Sequence, residues 1–201
     1  LRARLEDAVF NEAVLRAPVS GEIRLSIPGA RAVRRHVPEL AGAFDYVGLN
    51  YYTRWMVRAS GPKIHVARAG APVTDLGWEI HPAGLEAAIR RVGPLGKPIL
   101  ITEHGYADAT DRWRPRVLLE SLIHVRNAIA SGSDVRGFFY WSLMDNFEWA
   151  DGYRARFGLY RVDFDDPGRR RERTRTADVY SRIARANAID PALVAEVGLA
   201  L

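Results

Sequence analysis

Phe138-Phe139-Tyr140-Trp141-Ser142-Leu143-Met144-Asp145-Asn146-Phe147-Glu148-Trp149 is the stretch on which the reading of this chain turns. Its apolar opening reads as a buried strand, yet the strand runs out into two tryptophans, two acids and an asparagine. Flat apolar faces beside hydrogen-bonding carboxylates are what is needed to hold a sugar, whose ring packs on an aromatic and whose hydroxyls need acceptors. Earlier in the chain a second apolar strand, Pro98-Ile99-Leu100-Ile101-Thr102, ends in Glu103, with Gly105 just beyond. Carboxylates delivered at the C-terminal ends of two strands are the arrangement of a β/α-barrel active site.

Outward from these two strands the elements alternate. Leu1 to Leu15 reads as an amphipathic helix with Leu1, Leu5, Ala8, Val9, Val14 and Leu15 near one face, ended by Pro18 and Gly21. A short helix is expected over Ala30 to His36, and a strand over Phe44 to Tyr52. Arg54 to Arg58 and Lys63 to Ala67 read as short extra strands punctuated by Gly61-Pro62. Pro82 suits the first turn of a helix reaching Val92, since proline there forfeits no helical hydrogen bond, and Gly93-Pro94-Leu95-Gly96 stops it. A strand over Lys97 to Thr102 comes next. It is followed by a long helix from Arg116 to Ala130, with Val117, Leu118, Ser121, Leu122, Val125 and Ile129 inward and Gly132 at its end. Arg136 to Ser142 is the third main strand, Leu159 to Phe164 an extra β segment, and helices over Thr176 to Ala188 and Pro191 to Leu201 close the chain. Strand and helix in alternation predict parallel strands joined by crossover helices, in one domain or one piece of a domain.

Composition bounds the function classes. The 201 residues are 48% hydrophobic and 26% charged, as in an ordinary globular domain. No apolar run is long enough for a transmembrane helix, and the charged start has no signal-peptide core. The chain does not open with Met, so it reads as cut from something longer. Without cysteine it has neither disulfides nor thiolate metal sites, which fits a cytoplasmic protein. The net charge of +5 is concentrated in Arg169-Arg170-Arg171-Glu172-Arg173-Thr174-Arg175. That run reads either as a phosphate-contacting patch or as a solvated loop and helix start; it has no interleaved aromatics, so nucleic acid is not the expected partner. The five histidines show no pairing at metal-ligand spacing. No Gly-Lys-Ser/Thr phosphate loop or dinucleotide fingerprint occurs. No metal and no cofactor are expected.

Three blocks carry a family resemblance. Tyr46-Val47-Gly48-Leu49-Asn50-Tyr51-Tyr52-Thr53-Arg54, Ile101-Thr102-Glu103-His104-Gly105, and Phe138 to Asp151 continued by Gly152-Tyr153-Arg154-Ala155-Arg156-Phe157-Gly158-Leu159 follow in order. Asp75-Leu76-Gly77-Trp78-Glu79-Ile80 and Asp134-Val135-Arg136-Gly137 support them. The chain resembles glycoside hydrolase family 1, the β-glucosidase and β-galactosidase family, from about Ala8 to Ile189. The resemblance implies an α/β fold that is part of a (β/α)8 TIM barrel: the last three barrel strands with their helices. Residues 1–201 would then be the C-terminal segment of a single barrel domain.

The resemblance also implies roles. Glu103, by position either a surface glutamate or a catalytic one, becomes the nucleophile of a retaining β-glycosidase, with Tyr52 bonded to its carboxylate. Strand alternation sends Asn50 and Tyr52 to the site and Tyr51 to the core. Glu148, which spacing alone leaves open as a second catalytic carboxylate, becomes a ligand for two sugar hydroxyls. Trp149 gives its indole N–H to a hydroxyl, Trp141 offers a packing face, and Phe157 lines the pocket. Asp145, Asn146, Trp55, Trp78 and Trp113 read as packing or as an outer subsite. His104 stands where the family usually has asparagine; it either tunes Glu103 or points away into packing. The family's acid/base glutamate sits in an Asn-Glu-Pro block, and none occurs here, since Asn11-Glu12-Ala13 lies in a helix. The resemblance therefore implies a β-glucoside or related saccharide as substrate. It implies weak activity for the chain alone, and a partner that is either a complementary N-terminal segment or a second copy. The alternative is a non-catalytic sugar-binding remnant.

Overall fold

A computed structural model describes residues 2–58 and 65–199; Leu1, the Gly61-Pro62 punctuation and Lys63 lie outside these. The elements in chain order are α1 (Arg2–Asp7), a π-helical turn (Ala8–Glu12), α2 (Ala13–Ser20), β1 (Glu22–Leu25), β2 (Val33–His36), β3 (Val47–Asn50), β4 (Met56–Val57), β5 (His65–Val66), α3 (Ala83–Val92), β6 (Ile99–His104), α4 (Arg114–Ala130), β7 (Val135–Tyr140), β8 (Tyr160–Val162), β9 (Arg171–Arg173), α5 (Arg175–Ala186) and α6 (Pro191–Glu196).

The centre is a parallel sheet in the order β3-β6-β7, the mixed α/β arrangement that the alternation predicts. Helices cover one face. Leu85, Ile89 and Val92 of α3 and Val125 and Ala128 of α4 close over Ile99 and Ile101 of β6, flanked by Val47, Leu49 and Tyr51. A second core joins Leu118 and Leu119 of α4 and Tyr140 of β7 to α5 and α6. Among the described residues the other face is bare. Asn50 is exposed, and Phe139, beside Gly137 and Leu100, is 57% exposed.

The register contains the feature that places the site. On one side Leu49 pairs with Ile101 and Asn50 with Glu103; on the other Phe138 pairs with Ile101 and Tyr140 with His104. Both neighbours therefore meet one surplus residue in β6 between Ile101 and His104, a β-bulge. Strict alternation would send Glu103 after Ile99 and Ile101 into the helix layer. The bulge instead turns it to the open side and sinks His104 among the helices, the re-aiming that bulges provide.

Several expectations are corrected. The first helix does not stop before Pro18 but continues to Ser20, with the π-helical turn in its middle. Pro18 is tolerated because the bond its missing N–H forgoes would reach the carbonyl of residue 14, where Val14 is 64% exposed. Chain reversal comes at Gly21, whose φ of 69° only glycine adopts freely. Among the described residues the expected apolar face buries none, and of them only Leu15 packs on the core. Ala30 to His36 is not a helix: Val33–His36 pairs antiparallel with Glu22–Leu25 after a turn at Gly29. Without an apolar stripe at helical spacing, that segment gains more from ladder bonds. Ile129 is 48% exposed, and Ala128 takes the inward position expected of it, in phase with Ser121 and Val125. The arginine run supplies β9, which pairs with β8. Among the described residues no helix is long and apolar enough to cross a membrane.

Candidate active site

The C-terminal ends of β3, β6 and β7 converge on two carboxylates. Tyr52, just past β3, donates its hydroxyl to Glu103 Oε2 at 2.6 Å. Trp141, just past β7, donates its indole N–H to Glu148 Oε1 at 3.0 Å. Tyr52, Trp78 and Trp141 all pack against one small cluster of Ala107, Ala155 and Phe157, so a single aromatic floor carries both acid-holding side chains. Burial, the bond to Glu103 and the nearby charge of Glu148 raise the Tyr52 phenol far above its ordinary range. It therefore remains a proton donor at working pH, and it lies within reach of both negative charges.

Asn50 stands on the same open side. Thr102 donates its hydroxyl to Asn50 Oδ1 at 2.6 Å, which leaves the amide N–H2 as the group's donor. Tyr51 goes the other way, as alternation predicts, donating to the His81 carbonyl at 2.8 Å. Phe157 is 1% exposed and supports the rings of Tyr52 and Trp78 from beneath, so it forms the floor and not the wall. Trp149 is the most open of the expected set, at 84% exposed, with a φ of 47° in the turn that Glu148 and Gly152 close. The N–H of Trp141 is engaged by Glu148, and the ring of Trp149 stands uncovered.

Other side chains hold this arrangement. The buried carboxylate of Asp145 accepts from Gly158 N at 2.8 Å, Arg156 Nη1 at 3.1 Å and Val162 N at 3.2 Å, which fixes the loop that carries Glu148. Trp78 belongs to the floor, Trp113 packs edge-on to Tyr106, and Trp55 sits 41% exposed beside His65. Three contributors escape sequence reading. Thr102 orients Asn50. Gly105 lies so close to the Trp141 carbonyl that an added Cβ would sit 1.9 Å from the oxygen. Glu79 is buried and gripped by Arg54 at 2.8 Å and by Arg68 N at 2.9 Å. Its place in Trp78-Glu79-Ile80, between apolar neighbours, is the one signal that could have flagged it.

His104 is fully buried. It is bonded through Nδ1 to the Tyr51 carbonyl at 2.7 Å and through Nε2 to Ser121 Oγ at 2.9 Å. Burial pushes it down to about 4, against the pull of the Tyr51 carbonyl. The folded state thus keeps it neutral where the unfolded chain takes up a proton near the usual histidine value. Its contribution is complete above about pH 6.5 and is lost as pH falls toward 4, up to about 3 kcal/mol. Urea titrations of wild type and His104→Asn across this window should show an acid-side loss in wild type that the variant lacks.

The model of glycosyl hydrolase family 1 matches residues 32–189. The chain belongs to this family. Among family members it is 40% identical over 141 residues to a β-galactosidase of Saccharolobus solfataricus, covering 63% of this chain and 29% of that protein. It is 35% identical over 140 residues to β-glucosidase A of Thermotoga maritima, covering 63% and 31%. The solved β-glycosidase from Pyrococcus horikoshii superposes with a TM-score of 0.85 at 36% identity, over 98% of this chain and 46% of that one. This family 1 chain spans about a third of the length of the curated relatives it matches.

Proposed function

We propose that residues 1–201 are the C-terminal segment of a retaining β-glycosidase, contributing the last three strands of an eight-stranded barrel and acting on terminal β-linked glucose or a related sugar. The observation that carries this reading is Glu103 held by Tyr52 beside Glu148 held by Trp141, on one aromatic floor. One Glu103 oxygen bonds to the anomeric carbon as the bond from that carbon to the aglycone oxygen breaks. The aglycone leaves with a proton from an acid outside this chain. Water then adds to the same carbon as its bond to Glu103 breaks, its proton passing to the outside group that gave one up, and Glu103 returns as a carboxylate. Among the described residues Glu148 Oε2 has no hydrogen-bond donor, and it accepts from sugar hydroxyls, with Asn50 and Trp149 as neighbouring ligands.

The protonating acid has no counterpart here, and that help is worth about 10²–10⁴-fold. The chain alone is therefore weak on poor leaving groups and needs a complementary N-terminal segment, or a second copy, against its bare sheet face. An activated reagent bypasses the acid. Incubation with 2,4-dinitrophenyl 2-deoxy-2-fluoro-β-glucoside should add one fluoroglycosyl group per chain, on the peptide containing Glu103. Saturable binding of a glucoside without that mass increase would instead favour a sugar-binding remnant. In Tyr52→Phe, Glu103 loses a hydrogen bond to a charged group, worth about 1.5–3 kcal/mol. Labelling should slow by roughly 10–100-fold while affinity for a neutral glucoside holds, and stopped time courses by intact mass will measure it.

A further inference from the structure

We infer that His104 is a positioning residue: it pins the bulge of β6 and, through the Tyr51 carbonyl, sets the Tyr52 hydroxyl against Glu103. The inference rests on the assignment of Glu103 as nucleophile, but its geometry stands separately. A bulge leaves one residue without a ladder partner, and a loose strand end there would let Glu103 turn back toward the helices. The imidazole closes that freedom from both sides. Its Nδ1–H donates to Tyr51 O at 2.7 Å, the peptide directly before Tyr52. Its Nε2 meets Ser121 Oγ at 2.9 Å, one turn beyond Val117, whose carbonyl lies 2.9 Å from the same hydroxyl. The ring lies parallel to Tyr51 with centroids 5.9 Å apart and takes Tyr106 and Phe138 edge-on.

The bracing therefore ties three elements to one residue: the end of β3, the bulge of β6, and α4. Its hydrogen-bond partners are a peptide carbonyl and a hydroxyl, and the rings packed on it are neutral, so its work is mechanical. It fixes the two peptides that carry the nucleophile and the nucleophile's hydrogen-bond donor. Asparagine can place an amide N–H where Nδ1–H stands, but it is too short to reach Ser121, so it tests the two bonds separately.

The test uses the whole chain with two readouts, the rate of fluoroglycosyl labelling and the carbon-13 carboxyl signal of Glu103 followed through a pH titration. In His104→Ala, labelling should fall about 10²-fold, the scale of a misplacement near 1 Å, and the Glu103 signal should move to its position in Tyr52→Phe. His104→Asn should fall between wild type and His104→Ala, slowing labelling severalfold, because the Tyr51 bond survives and the Ser121 bond does not. Ser121→Ala, which leaves the imidazole in place, should slow labelling severalfold and serves if His104→Ala does not fold. Wild-type labelling rates and an unmoved Glu103 signal in both Ser121→Ala and folded His104→Ala would overturn the inference. If wild type itself takes no label, the glycosidase reading fails and the carboxyl signal alone decides: a wild-type curve in those two variants refutes the pinning, and a Tyr52→Phe-like curve upholds it.

Discussion

Replacing Glu103 with glutamine should reduce fluoroglycosyl labelling from one group per chain to none, with the thermal unfolding midpoint nearly unchanged. Glutamine fills the same volume at the strand end and still accepts the Tyr52 hydroxyl through its carbonyl oxygen, so the 2.6 Å bond has a substitute. An amide oxygen, however, lacks the charge needed to attack the anomeric carbon. When the chain is supplemented with the rest of a family 1 barrel, hydrolysis of an aryl β-glucoside should fall by at least about 10⁴-fold, as losses of essential nucleophiles do. Glu148→Gln separates the two acids: it should weaken capture by lowering affinity, while any label that forms still maps to Glu103. A label on Glu148 in the Glu103→Gln protein would reverse the two assignments.

Arg114→Ala should cost about 3–5 kcal/mol of stability, the scale for stranding one member of a buried ion pair and a large share of the 5–15 kcal/mol typical of a domain. Arg114 and Asp111 are 3% and 8% exposed and meet at 2.8 Å. Asp111 also accepts from Thr176 N at 3.0 Å and from its hydroxyl, so the pair joins the start of α4 to the start of α5. The guanidinium further donates to the Gly158 carbonyl at 3.1 Å, next to Phe157 in the aromatic floor. Losing it leaves a buried carboxylate half satisfied and frees the loop beneath Tyr52 and Trp78. Urea unfolding should show a midpoint shift at unchanged slope, and labelling should slow in the fraction that remains folded.

Much of the architecture is legible from local pattern. Apolar runs at 99–101 and 138–140, and the stripe Val117, Leu118, Ser121, Val125, commit those segments to strand, strand and helix through periods set by backbone geometry. Pro82 and Gly96 mark the ends of their region for equally local reasons. The failures have their own logic. Residues 33–36 carry no strong period, and their state was decided by Glu22–Leu25 lying alongside. Pro18 breaks a helix only where its missing N–H matters. At the site, side chains at the ends of apolar strands stood out because burial gives no reason for carboxylates there. Of their partners, Tyr52 came only with the family resemblance, since it and Glu103 are 51 residues apart and nothing local couples them; the Trp141 N–H on Glu148 did not come at all.

Amino-acid order alone was enough for the family and the alternation of elements, because each is a matter of residue type and near-neighbour spacing, and it singled out Glu103 and Glu148 as candidates, with Asn50 and Tyr52 following from the resemblance. Tertiary structure decided which way those groups face. The surplus residue in β6 exists only relative to β3 and β7, and it is what carries Glu103 out of the helix layer and His104 into it. Likewise the Trp141 indole is engaged by Glu148 and the Trp149 ring left uncovered by how a loop closes. A bulge and a hydrogen bond between distant residues are relations between segments, and such relations become definite only once the segments are packed.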